Sequence, residues 1–213
     1  MVLDWLTVTP DNGDGNGNLS VSATSYGGRV SKQTSFKVQS TDASSTATVL
    51  VTQEGLAEFV TFSSGTATVN KEGGTLQLSG TSNSTALTFS IEGGGSLKLT
   101  APATYKVLKK NVNNGEVVEG DPGASATYGW SISFAVPKNM TTGSLTCTVT
   151  VADASGSEAG KNIHSCVVTQ AAGDAFVYVG AMSQSSVSVT LPAAGGNDTV
   201  RVFSNTTWKV SKA

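Results

Sequence analysis

Leu145-Thr146-Cys147-Thr148-Val149-Thr150-Val151 alternates apolar and polar side chains without a break. A period of two puts every second side chain on one face of a pleated strand, so this stretch predicts a strand with one buried face. The same alternation recurs outward in both directions, at Leu19–Val21–Ala23, Phe36–Val38, Val49–Val51, Leu76–Leu78, Leu87–Phe89–Ile91, Leu97–Leu99, Ile132–Phe134–Val136, Val187–Val189 and Val200–Val202. Turn signals separate these stretches: Asn12-Gly13, Gly27-Gly28, Gly73-Gly74, Asn114-Gly115, Asp121-Pro122-Gly123 and Gly195-Gly196. No segment carries the period of an amphipathic helix. Many short strands at this spacing predict an all-β sandwich or barrel.

Composition narrows the function. Only 13% of residues are charged, and the net charge is −2. The 13 Lys and Arg are scattered, whereas phosphate binding by counterion release needs clustered cations, so no nucleic-acid partner is expected. No apolar run approaches the ~20 residues of a membrane helix, so no membrane partner is expected either. The start, Met1-Val2-Leu3-Asp4-Trp5, has no charged region leading into an apolar one, so no secretory signal is expected there. The two cysteines, Cys147 and Cys166, do not make a disulfide framework. Two small buried apolar side chains are the expectation, with a single disulfide as the alternative.

The chain also repeats itself. Val51-Thr52-Gln53 and Val168-Thr169-Gln170 each close a strand-rich stretch. An aromatic strand follows each, Phe59-Val60-Thr61-Phe62 and Phe176-Val177-Tyr178-Val179. A Gly-Gly turn, a further strand and an Asn-Ser-Thr or Asn-Thr-Thr turn come next. The triplets therefore read as domain ends, dividing the chain into 1–53, 54–171 and 172–213. Neither flank is long enough to bury both faces of a sandwich.

The flanks carry a recognisable pattern in two pieces. The last piece has Gly195-Gly196 and Ser204-Asn205-Thr206-Thr207-Trp208-Lys209-Val210. The first has Trp5-Leu6-Thr7-Val8-Thr9-Pro10, a Gly/Asn-rich turn, a basic residue (Lys32 or Arg29) before Phe36–Val38, and Val51-Thr52-Gln53. Read last piece first, this resembles the BACON domain, an immunoglobulin-like module of Bacteroidetes and their phages. The middle is similar only loosely, since Asn83-Ser84-Thr85-Ala86-Leu87 lacks the Trp and an insertion spans Lys109 to Ser125. The resemblance implies tandem immunoglobulin-like sandwiches. It makes 1–53 the C-terminal part of one module, 54–171 a complete module, and 172–213 the N-terminal part of another.

Two halves can complete one sandwich within a chain or between neighbours, unless the chain is a segment of a longer array. The linkers, Glu54-Gly55 and Ala171-Ala172-Gly173, are short. A strand of ~10 residues spans roughly 33 Å, so the halves are expected at opposite ends of the middle domain and completion is expected between chains. Val202, Phe203, Trp208 and Val210 would then be donor anchors facing Trp5, Leu6, Val8, Phe36 and Val38 of a neighbour. Head-to-tail contacts of this kind give rings or open arrays.

Chemistry-bearing motifs are sparse. The one histidine, His164, has no nameable triad partners. With Cys147 and Cys166 it lacks the paired spacing of a zinc site. Asp14, Asn16 and Asn18 start like a calcium loop, but Leu19 and Ser25 stand where Gly and Glu are needed. No enzyme, cofactor or metal is expected. Tyr128 and Trp130 form the best aromatic cluster for stacking on a sugar, with core packing as the alternative. The expected function is therefore structural. An auxiliary capsid or fibre protein of a crAss-like phage virion would bind copies of itself, capsid proteins and surface glycans. The alternative is a carbohydrate-binding or spacer module at a cell surface.

Overall fold

A computed structural model describes residues 2–3, 5–154 and 162–212. It is an all-β structure, and its largest body is a two-sheet sandwich. The strands of this central sandwich are β6 (Val60–Phe62), β7 (Thr66–Val69), β8 (Gly74–Ser82), β9 (Leu87–Glu92), β10 (Thr104–Val107), β11 (Lys110–Asn113), β12 (Tyr128–Val136), β13 (Leu145–Asp153) and β14 (Ile163–Gln170). One sheet has the order β11-β10-β12-β8-β6 and the other β7-β14-β13-β9. All pairs are antiparallel except β7 on β14.

The alternation read from the sequence sets which face is dry. Along β12, Tyr128, Trp130, Ile132, Phe134 and Val136 are all buried while their neighbours are not. Facing them across the sandwich, Cys147, Val149 and Val151 of β13 fill the core together with Cys166 and Val168 of β14. Trp130 packs edge-on to Phe62 and to Phe89, with ring centroids 5.1 and 5.2 Å apart. Trp130 fits because its paired residue on β8 is Gly80, where a Cβ would lie 2.4 Å from the indole.

Before the sandwich come two small sheets. β1 (Val2–Leu3), β2 (Leu6–Thr9) and β3 (Ser20–Ala23) form one, and the hairpin of β4 (Lys32–Gln39) and β5 (Thr46–Gln53) forms the other. Leu6, Val8 and Phe36 close a three-residue core between them, with Trp5 and Val51 against it. The Lys32 ammonium lies over both the Trp5 and Tyr26 rings, 4.6 and 4.5 Å from their centroids. After the sandwich only β15 (Val177–Val179) and β16 (Val202–Ser204) pair, and residues 181–201 are all exposed. The strands β5 and β14 end on Gln53 and Gln170, the last residues of the two Val-Thr-Gln triplets.

Candidate assembly site

The unit of the site is a joint that occurs twice. Asn83 is fully buried where the N-terminal segment meets the sandwich. Its Oδ1 accepts from the Phe59 N–H at 2.9 Å, and its Nδ2 donates to the carbonyls of Ala57 (3.2 Å) and Gly27 (3.3 Å). One side chain thus ties the linker, the sandwich and the preceding segment together. Asn205 repeats this at the other joint: its Oδ1 accepts from Phe176 N–H at 2.9 Å, and its Nδ2 donates to Asp174 (2.8 Å) and Met140 (2.9 Å) carbonyls. The preceding serine behaves alike in both, with Ser82 Oγ donating to Phe59 O (2.7 Å) and Ser204 Oγ to Phe176 O (2.9 Å). The Leu56 N–H reaches Gly28 O at 2.8 Å, and the Gly173 N–H reaches Thr141 O at 2.8 Å.

The first joint has one device more. Arg29 donates to Asn83 O at 3.0 Å, binds the Asp121 carboxylate with both terminal nitrogens, and stands 3.4 Å from Glu58. The hydrogen bond to Asp121 holds the guanidinium pKa above its ordinary value. Asp121 comes from the segment 109–125, whose Ala124 and Gly123 carbonyls also receive Tyr26 Oη (2.8 Å) and Arg29 N–H (3.2 Å). This segment therefore clamps the N-terminal one. At the second joint the ion pair is Lys71–Asp174 at 2.6 Å, and both partners are open to water.

These joints fix where the two segments lie. Residues 26–30 meet the Ser82–Tyr128 end of the β8–β12 ladder, and residues 173–176 meet the loops beyond its Gly74–Val136 end. Eight steps of strand at roughly 3.4 Å put about 27 Å between those ends. Among the described residues no ladder joins the N-terminal and C-terminal segments.

The segments leave apolar side chains in water. Trp208 is 53% exposed and Val210 88% exposed; Val38, Leu19 and Val21 are 46%, 42% and 41% exposed. An open cleft of about 480 Å³ lies between the two N-terminal sheets, lined by Val8, Leu19, Phe36 and Val38. The outer edges of β3 and of β16 each lack a partner strand in the described residues.

The expected anchors sort unevenly against this geometry. Trp208, Val210 and Val38 are open, and Val202 is half-buried at the free edge. Trp5, Leu6, Val8 and Phe36 already pack on one another, and of these Val8 and Phe36 floor the cleft. Phe203 does not serve as a core anchor: it neighbours Val202 on a strand and so points to the opposite face, where Arg201 covers its ring at 4.7 Å. Tyr128 and Trp130 are corrected more firmly. Both are inward residues of β12, 3% and 2% exposed, and Tyr128 Oη donates to Ser84 O, so neither ring offers a face to a sugar. Burial raises the Tyr128 phenol beyond its usual range.

The remaining chemistry is scattered. His164 is exposed on β14, whereas Cys147 and Cys166 are buried and free, with thiol pKa values raised by burial. Among the described residues no three His, Cys, Asp or Glu side chains gather to hold a metal. Compared with known proteins, the chain matches no family model and no curated relative.

Sequence reasoning missed Asn83, Asn205, Arg29 and Asp121, and it missed Leu19 and Val21 as part of the open face. The paired Ser-Asn turns were a visible signal, but only their bonding partners reveal a joint.

Proposed function

We propose that this protein is a structural, assembling chain of immunoglobulin-like sandwiches, in which the C-terminal segment of one copy completes the N-terminal segment of the next. One observation carries the reading: two open apolar segments, each with a free strand edge, sit at opposite ends of a rigid sandwich. A separation of about 27 Å opposes self-completion and favours a neighbour. Exposed edges and apolar faces are the standard template for strand addition. The BACON-like pattern of the two segments supports the same division and suggests service as an auxiliary capsid or fibre protein of a phage virion.

Sedimentation across a range of protein concentrations tests the assembly. Growth of the particle with concentration is expected. Removal of residues 200–213 should leave a monomer whose central sandwich still unfolds cooperatively, at a temperature lowered by no more than about 8 °C through loss of the Asn205 joint. A full chain that stays monomeric throughout would overturn the reading. Peptides of this chain in purified phage particles, found by mass spectrometry, test the virion assignment.

A further inference from the structure

The central sandwich shows how the two open segments fit each other. Its first half (β6 to β9) and second half (β12 to β14) meet along three ladders: β8 on β12, β9 on β13, and β7 in parallel on β14. The C-terminal segment repeats the first half. Val177↔Ser204 and Val179↔Val202 reproduce Val60↔Ser82 and Phe62↔Gly80. The preceding turn is also reproduced: Gly195 N–H to Pro192 O at 2.9 Å mirrors Gly73 N–H to Asn70 O at 3.1 Å, and both glycines have positive φ (85° and 78°). The N-terminal segment repeats the second half. Lys32↔Gln53 starts the β4–β5 ladder as Leu145↔Gln170 starts β13–β14. Gln53 Nε2 donates to Thr24 O at 2.8 Å as Gln170 Nε2 donates to Pro137 O at 2.8 Å.

We infer that residues 188–212 of one copy enter the N-terminal segment of a second copy in the register of the central sandwich, with Val200 opposite Leu19, Val210 opposite Val38, and Val189 beside Val51. The inference rests on the assembly reading and deepens it by naming the occupant and its alignment. The register follows from the anchors. Aligning Ser204 with Ser82 makes Val200 the counterpart of Leu78. Aligning Thr24 with Pro137 makes Leu19 the counterpart of Ile132, which is paired with Leu78. Val38 takes the place of Val151, paired with Phe89. The Ser204–Ser82 anchor without a gap would set Trp208 at Ala86 and Val210 at Thr88, so a turn after Asn205 one residue shorter than that after Asn83 puts Trp208 and Val210 where Leu87 and Phe89 stand, with their alternation kept. Val189 and Val51 replace the parallel pair Ala67 and Val168.

Three observations agree with this alignment. First, it rebuilds both sheet orders: β1-β2-β3-β16-β15 matches β11-β10-β12-β8-β6, and the second sheet regains a strand on each side of β4–β5. Second, side-chain sizes compensate. The large–small pair Trp130–Gly80 becomes Gly17–Val202, with the bulk moved to the other strand. Third, Gln170 Nε2 also reaches across the two halves to Asn70 O at 3.3 Å, whereas among the described residues Gln53 Nε2 donates only to Thr24 O.

Disulfide trapping between separate chains tests it. Copies with Leu19→Cys are mixed with copies with Val200→Cys and oxidised gently. Directly opposed strand residues lie within disulfide reach. A cross-link between those two positions, identified by peptide mass spectrometry, is expected. It should exceed by about tenfold the yield from Leu19→Cys with Val202→Cys, which is one diagonal step away. The pair Val38→Cys and Val210→Cys repeats the test in the other sheet. Mixtures that assemble yet cross-link preferentially at the diagonal pair, or at neither matched pair, overturn this register and leave assembly standing. An unmodified chain that remains a monomer overturns both.

Discussion

Ile132 and Leu19 stand at equivalent places in two repeats of one pattern, yet one is 3% exposed and the other 42%. The same holds for Phe134 and Val21, at 8% and 41%. The strands resemble each other in sequence and in local pairing, so the difference does not lie in the strands. It lies in what covers them. In the central sandwich β8 and β9 are supplied by the same chain; among the described residues no strand pairs with the outer edge of β3 or of β4. Drying an apolar strand face needs a second layer, and local sequence provides only the first.

The largest effects should separate covered from uncovered positions. Phe89→Ala is expected to destabilise the central sandwich by about 3–5 kcal/mol, read from denaturant unfolding. Val210→Ala, at the equivalent but open place, should change the unfolding of the isolated chain by no more than about 0.5 kcal/mol while weakening association. Equal losses in the isolated chain would mean that Val210 is already covered.

Comparing the joints predicts intermediate effects. Asn83 is fully buried and braced by Arg29, whereas Asn205 is half-buried. Asn83→Ala should therefore cost about 2–3 kcal/mol and Asn205→Ala about 1 kcal/mol, by the usual penalty for buried unpaired polar groups. Amide exchange of Phe59 and Phe176, whose N–H groups these side chains receive, reports each joint separately. Gly55→Ala should also loosen the first joint, because its Cβ would fall 2.1 Å from Arg29 O.

Smaller effects concern protons and thiols. The hydrogen bond from Lys71 holds the Asp174 carboxyl below its ordinary pKa. Its folded value is thus depressed, so its contribution is present above the unfolded value and fades as pH falls through the carboxylate range. The protection factor of the Phe176 amide, its exchange rate corrected for the intrinsic pH dependence, should fall more on acidification in the native chain than in Lys71→Ala, and an identical response would remove the ion pair from the joint. Cys147 and Cys166 should resist a thiol reagent until the sandwich unfolds, whereas the thiol introduced by Leu19→Cys should react at once in the isolated chain and slow on assembly.

Much of this was legible in the sequence. The period of two placed the strands and their dry faces along β12 and β13, but it failed at Leu97–Leu99, where a helical turn over Gly94–Leu97 buries both leucines, and at Val187–Val189, which lies exposed and outside any strand. The doubled Val-Thr-Gln marked the last strand of each half. Tyr128 and Trp130 show the limit of that reading: alternation alone put them in phase with Ile132 and Phe134, and phase matters more than aromatic character. Arg29 and Asp121 were illegible because 92 residues separate them and no spacing rule links them.

The sequence by itself determined strands, turns and the repeat, because alternation and turn chemistry act between near neighbours. Only the tertiary structure decided which repeats are covered, where the segments lie along the sandwich, and that Asn83 and Asn205 are joints. Those outcomes depend on surfaces brought together from distant parts of the chain, and the free energy of excluding water from a face belongs to both layers at once.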